Sequence, residues 1–169
     1  EEDQEALRQL LGLALTGALD GLCAMREREG AEMKRDLASR VTHIEEMTCA
    51  IEARYPETVA AYKARLRAAI EEMVGQNVDE ARLLTEVAVM ADRSAIAEET
   101  VRLHAHIAQL RECLEKPEPV GRRIDFLVQE LNREVNTIGS KASDAQIAGC
   151  VVAAKGEIEK LREQVQNIE

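Results

Sequence analysis

The stretch GRRIDFLVQELNREVNTIGSKA, Gly121 to Ala142, decides how this chain folds. Ile124, Leu127, Leu131, Val135 and Ile138 recur at three- and four-residue steps, the period of one helical face. Around that stripe, Arg122, Arg123, Asp125, Gln129, Glu130, Asn132, Arg133, Glu134, Asn136 and Lys141 alternate cation, carboxylate and amide over about six turns. An ordinary amphipathic helix fills its wet face with interchangeable Glu, Lys and Gln. Asparagine is a mediocre helix former, so its recurrence here needs another reason. The stretch predicts a helix with one buried stripe and a specific polar surface; the plainer alternative is a solvated face.

The same period extends outward in both directions. Downstream, Ile147, Val151, Ala154, Ile158, Leu161, Val165 and Ile168 alternate four-three behind a capping Ser143 or Asp144, predicting an intimate antiparallel or intersubunit partner. Upstream, a helix is expected from about Glu80 to Leu114, capped by Asp79 and bent near residues 92–94, with Ile96, Leu103, Ile107, Leu110 and Leu114 as its seam. Lys116–Val120, with Pro117 and Pro119, reads as a short rigid connection. Three further helices are expected at roughly 3–25, 31–55 and 57–74. The charged run MREREG (Met25–Gly30) would interrupt the first two, Pro56 would stop the second, and Gly75, Gln76 and Asn77 would end the third. Leu7, Leu11, Ala14, Ala18 and Leu22 stripe the leading helix, and Leu37, Val41, Ile44, Thr48 and Ile51 form a heptad-like seam. No strand-like stretch competes. The expected fold is all-α: an elongated bundle of about six helices with long helical hairpins and coiled-coil-like seams. Residues 1–78 would form a helical arm for oligomerisation and 79–169 a C-terminal helical domain carrying the candidate site. Long apolar stripes of this kind favour self-association.

Composition narrows the function. Ala, Leu, Glu and Arg dominate, and 46% of the 169 residues are hydrophobic, enough for one core or two small ones. The only rings are Tyr55, Tyr62 and Phe126, too few for an extended aromatic platform for single-stranded RNA. The net charge of −10 is the wrong sign for a generic phosphate binder, so nucleic acid would need a local cationic patch or divalent ions held by carboxylates. Cys23, Cys49, Cys113 and Cys150 match no zinc or disulfide framework and read as buried free thiols. No secretory segment or membrane-length apolar run is visible, so a cytoplasmic protein is expected. Phosphate-loop, dinucleotide and nucleophile-elbow motifs are missing.

Two polar groups could carry chemistry. Glu99, Arg102 and His106 share a helical face, with Glu98 beside it. A histidine with carboxylates a turn or two away can ligate a metal or act as a general base, whereas the bland reading is a salt-bridged surface. Glu130 and Glu134 form an i,i+4 pair of like charges that repel unless a cation lies between them. Asp125, Gln129, Asn132 and Asn136 adjoin this pair. If the two helices run antiparallel, Glu134 moves towards Glu98–His106. His43 reads as structural or exposed.

EVAVMADRSAIAEETVRLHAHI, GRRIDFLVQELNREVNTIGSKASDAQI and the terminal EIEKLREQVQNIE resemble the C-terminal half of the YicC/YloC-like endoribonucleases, and MREREG followed by KRDLASR resembles that family's central helical region. Ala95, His104, Ala105 and Leu110 depart from the family's usual Asp, Lys, Ser and Phe. The resemblance implies a bacterial cytoplasmic protein that cleaves RNA internally with divalent metal ions, assembles as a hexamer, and carries a mixed α/β N-terminal domain ahead of the part present here. On that basis the expected function is metal-dependent (Mn²⁺ or Mg²⁺) endoribonuclease within a homo-oligomer. His106, Glu99, Glu130, Glu134 and Asp125 are the candidate catalytic residues. Glu98, Glu99, His106, Glu130 and Glu134 are the candidate metal ligands. Arg122, Arg123, Arg133, Lys141 and Arg102 are the candidate RNA contacts. A non-catalytic oligomerisation scaffold and an RNA-binding adaptor are the alternatives.

Overall fold

The computed structural model describes residues 3–75, 78–116 and 118–166, apart from the Val74 side chain. The expectations placed on Gln76, Asn77, Pro117 and Ile168 lie outside the described residues. Five helices occur among the described residues: α1 (Gln4–Val74), α2 (Glu80–Arg93), α3 (Ala97–Leu114), α4 (Gly121–Lys141) and α5 (Ala145–Val165). Among the described residues there is no strand, so the all-α class is correct. None of these helices is long and apolar enough to cross a membrane.

The helix count differs from about six for physical reasons. The three leading segments are one helix, α1. Arg26 to Glu29 are good helix formers, and Gly30 costs only about 1 kcal/mol relative to alanine, too little to end a helix between such neighbours. Pro56 lacks the N–H that would bond Glu52, a loss of about 3 kcal/mol in a helix interior. Tertiary and local bonds on both sides hold the backbone in place. Tyr55 donates its hydroxyl to the Ala91 carbonyl (3.0 Å), Thr58 Oγ1 donates to the Tyr55 carbonyl (2.7 Å), and Arg54 pairs with both Glu57 and Asp144. Conversely, the expected Glu80–Leu114 helix is two. Ser94 caps α2, its hydroxyl donating to the Met90 carbonyl (2.9 Å), and the chain turns at Ala95 before α3 begins. The helix expected over the Gly121–Ala142 stretch forms as α4 and continues unbroken through Gly139 to Lys141. A Cβ at Gly139 would meet Val151 Cγ1 at 3.0 Å, so the missing side chain permits close approach of α4 and α5.

The chain divides into two compact units, Glu1–Leu37 and Ala38–Glu169. In the first, every side chain from Asp3 to Glu32 is exposed, including Leu7, Leu10, Leu11, Leu13, Leu15, Leu19, Leu22 and Met25. The second unit holds most of the core. Its centre is α4, which packs against both α3 and α5. Ile124, Leu127, Leu131, Val135 and Ile138 are all buried, as are Leu103, Ile107 and Leu110 of α3 and Ile147, Val151, Ile158 and Leu161 of α5. Each such side chain contributes about 1.5–3 kcal/mol by leaving water. Of the cysteines, Cys113 is buried and Cys150 half-buried, but Cys23 and Cys49 are exposed because they lie off the seams. All four are free thiols. His43 is exposed.

Asp79 and Asp144 cap α2 and α5 as expected, each accepting from two backbone N–H groups of its helix. Asp144 also accepts from Arg54, and Arg54 together with these backbone bonds holds its carboxyl below the ordinary value of 3.8. Arg111 does the same for Glu45, and Lys160 followed by Arg40 for Glu157 against an opposing push from burial. Arg40–Glu157 (3.1 Å), Arg54–Asp144 (2.9 Å) and Arg111–Glu45 (2.6 Å) tie residues 38–74 of α1 to later parts of the second unit.

Carboxylates with lowered folded-state values stabilise the fold above their unfolded values and lose that contribution as pH falls through the folded ones. Thermal melts followed by circular dichroism are therefore expected to show a flat Tm above the ordinary glutamate value of 4.5 and a decline below it. Arg54→Met should flatten the part of this decline due to Asp144. Leu131→Ala, which empties a fully buried position on α4, should cost about 2–5 kcal/mol in urea unfolding.

Candidate active site

The polar surface of α4 meets α3 along one line, and the two helices are antiparallel: Lys141 reaches Ala95 and Glu99, while Arg102 reaches Glu134. Two carboxylates lie in this seam almost out of water, with the Glu99 side chain 5% exposed and Glu134 4%. Arg102 joins them. Its Nε donates to Glu134 Oε1 (2.9 Å), one terminal nitrogen to Glu99 Oε1 (3.2 Å) and the other to Glu98 Oε2 (3.3 Å). The hydrogen bond to Glu134 leads the causes that raise the Arg102 pKa. Lys141 adds a second cation, donating to Glu99 Oε1 (2.9 Å) and to the Ala95 carbonyl (3.0 Å) freed by the α2–α3 break. Burial pushes the Glu99 carboxyl up, but Lys141, the backbone and Arg102 together hold it below its ordinary value.

One turn further along α3, His106 faces Glu130 and Glu134. A ring nitrogen of His106 and one carboxylate oxygen from each glutamate lie within 4.8 Å of one another. Glu130 is half-buried, with Arg133 at 3.7 Å. His106 Nδ1 and Glu99 Oε2 are buried without a hydrogen-bond partner among the described residues. Two unsatisfied buried polar atoms in one seam are unusual in a folded protein.

The structure thus brings together Glu98, Glu99, Arg102, His106, Glu130, Glu134 and Lys141. Glu98 stands at the edge, 86% exposed and paired with Arg102. Glu98 and Glu99 lie outside the three-residue cluster. Asp125, Arg122 and Arg123 sit elsewhere. Asp125 precedes Glu134 by nine residues, about 13 Å along the helix, and accepts from Gln129 (2.8 Å). With Arg122 and Gln129 it lines a shallow groove beside Arg162 and Gln166. Arg123 is exposed, and Asn132 and Asn136 bond each other (3.2 Å). Sequence reasoning missed a second group, Cys49, Glu52 and His104, whose donor atoms also lie within 4.8 Å. The i,i+3 spacing of Cys49 and Glu52 was legible, but their meeting with His104 depends on how α1 and α3 pack.

Residues 51–169 match the family described as "Endoribonuclease YicC-like, C-terminal". The chain belongs to this YicC-like endoribonuclease family. A protein of Clostridioides difficile named "Probable endoribonuclease YicC" is 46% identical over 175 residues, and its Haemophilus influenzae namesake is 36% identical over 169. Both alignments cover the whole chain and 58% of the relative, so the chain spans rather more than half the length of the curated relatives it matches. Within the YicC-like region, 51–169, lie all of α2 to α5 and therefore every residue of the seam described above.

The seam depends on Arg102, whose removal leaves Glu134 without its cation and Glu99 with Lys141 alone. Arg102→Gln is expected to lower the Tm at neutral pH. It should also raise the pKa of Glu99, which Arg102 helps hold below its ordinary value, read by NMR titration of the side-chain carboxyl. An unchanged carboxyl titration would remove Arg102 from its positioning role.

Proposed function

We propose that the chain is the core of an endoribonuclease that cleaves RNA phosphodiester bonds with a divalent cation, acting in the cytoplasm as part of a homo-oligomer. The observation that carries this reading is the His106–Glu130–Glu134 cluster with its unpartnered imidazole nitrogen, in a chain of a family named for endoribonuclease activity. One imidazole and two carboxylates make a donor set that suits Mn²⁺ and accommodates Mg²⁺ through its oxygens. Three protein donors leave positions for water and substrate. When bound there, a divalent cation supplies an acidified water and charge stabilisation at the phosphoryl oxygens.

The chain's own residues do the positioning. His106, Glu130 and Glu134 hold the ion. Arg102 fixes the orientation of Glu134 by occupying Oε1. Lys141 and Glu99 lock the far end of the same seam. Glu98 and Glu99, candidate ligands by sequence, serve this reading as partners of Arg102. Arg133, 74% exposed beside Glu130, is placed to meet a phosphate of the RNA. Arg122 and Arg123, together with the Asp125 groove, would meet the strand further along α4. If His106 does not ligate, its alternative role is acid or base toward the RNA 2′-hydroxyl.

The exposed leucines of the first unit support self-association, and a hexamer is the assembly that the family resemblance implies. They also favour a second reading in which the chain serves chiefly as an oligomerisation scaffold.

A labelled structured RNA incubated with the purified chain and Mn²⁺ or Mg²⁺ is expected to be cut internally. Cutting should vanish with a chelator and in the Glu130→Gln/Glu134→Gln variant, whose helix content should stay intact. Products ending in 3′-hydroxyl indicate an activated water, and 2′,3′-cyclic phosphates indicate attack by the 2′-hydroxyl. Cleavage that persists undiminished in the variant would remove both glutamates from the site. RNA left intact under all conditions would favour the scaffold.

A further inference from the structure

A second concavity lies beside the seam. It has a volume of about 430 Å³ and is bounded by α1, α2 and the turn after α4. Tyr55, Tyr62 and Arg65 line it from α1, Arg93 from α2, and Lys141 from the end of α4. Two of the chain's three aromatic residues and three of its cations thus converge on one space, in a protein of net charge −10. On α1 the lining residues Tyr55, Thr58, Tyr62 and Arg65 follow three-four-three spacing and so share one helical face.

Lys141 is spent on Glu99 and the Ala95 carbonyl, but the two arginines are not consumed by the fold. Arg65 stacks on the Tyr62 ring, its guanidinium carbon 5.7 Å from the ring centroid. Stacking uses the face of a guanidinium and leaves its N–H edges free for phosphate. Arg93 is exposed and has no hydrogen-bond or ion-pair partner among the described residues. The carboxylates lining the cavity are Asp144 and Glu86. Asp144 is already occupied by Arg54 and by the N-terminus of α5. Glu86 remains an acceptor suited to the amino edge of a base. Tyr55 spends its hydroxyl on the Ala91 carbonyl, so it offers ring surface.

We infer that this cavity is a subsite for one nucleotide of single-stranded RNA, with phosphate at Arg65 and Arg93 and the base against the tyrosine rings. The inference rests on the RNA-cleaving reading above and adds where the strand is held beside the cut. Lys141 connects the two places. It lines the cavity and bonds Glu99, which shares Arg102 with Glu134. From Lys141 to Glu134 is seven residues, about 10 Å along α4. A chain with three rings builds no extended aromatic platform, but it can build one for a single base.

The test is fluorescence anisotropy with a fluorescein-labelled, mixed-sequence single-stranded RNA. It uses the full chain carrying Glu130→Gln/Glu134→Gln, so that binding is read without cleavage. Adding Arg65→Ala/Arg93→Ala, both at exposed positions, should raise Kd about tenfold or more and flatten the slope of log Kd against log salt by about 0.7, as for one phosphate no longer neutralised. Adding Tyr62→Leu should raise Kd about tenfold with the salt slope unchanged, as for one lost stack. RNA substituted with 4-thiouridine should photo-crosslink to the peptide containing Tyr55 or Tyr62. Equal Kd and slope across all variants would overturn the subsite, as would failure of the chain to bind RNA. If these losses appear while the unsubstituted chain never cuts RNA, the subsite stands and the cleavage reading falls. If metal-dependent cutting occurs while binding is indifferent to Arg65, Arg93 and Tyr62, the cleavage reading stands and the subsite falls.

Discussion

Two carboxylates buried between α3 and α4 set the terms for the second unit. Glu99 and Glu134 are nearly excluded from water, and a buried carboxylate is tolerated only when cations and donors reach it. Arg102 reaches both, and Lys141 reaches Glu99 from the end of α4. These contacts fix more than charge. They hold the two helices antiparallel and in one register, since a slip by one residue would carry Glu134 around the helix and away from Arg102. In that register His106 faces Glu130 and Glu134, and the ammonium of Lys141 lands on the Ala95 carbonyl at the α2–α3 break.

Apolar periodicity made the core legible. The stripe Ile124, Leu127, Leu131, Val135 and Ile138 is buried throughout, as are the seams through Val41, Ile44 and Ile51 and through Leu103, Ile107 and Leu110. Capping chemistry marked Asp79 and Asp144 correctly because an N-cap is a local contact. Helix ends signalled by breakers were less legible. Pro56 and the run around Gly30 sit inside α1, where bonds from Tyr55, Thr58 and Arg54 and the strong local propensity of Arg26 to Glu29 outweigh the breaker. Whether a glycine or proline ends a helix depends on contacts that sequence alone does not display.

The site was half legible for the same reason. Helical spacing put Glu99, Arg102 and His106 on one face and paired Glu130 with Glu134. It did not show that Arg102 is spent on three carboxylates, or that Lys141 is the partner of Glu99 rather than only a cation for RNA. Asp125 shares α4 with Glu130 but not its surroundings. Tyr55, Tyr62, Arg65 and Arg93 come from two helices joined through residues 75–79, so only tertiary structure gathers them. Overall charge is an average: Arg65 and Arg93 gather on one cavity in a chain of net charge −10.

The leading segment of α1 obeys a different physics from the rest. From Asp3 to Glu32 no side chain is buried, so no tertiary burial rewards its helical turns. Its order rests on backbone bonds, on the propensity of Ala, Leu, Glu and Arg, and on growth from the turns already formed after it. Such a segment melts gradually as temperature rises, while α3, α4 and α5 lose structure together. Heating this chain would not produce a single folded fraction, and a two-state free energy would describe only the part built around α4.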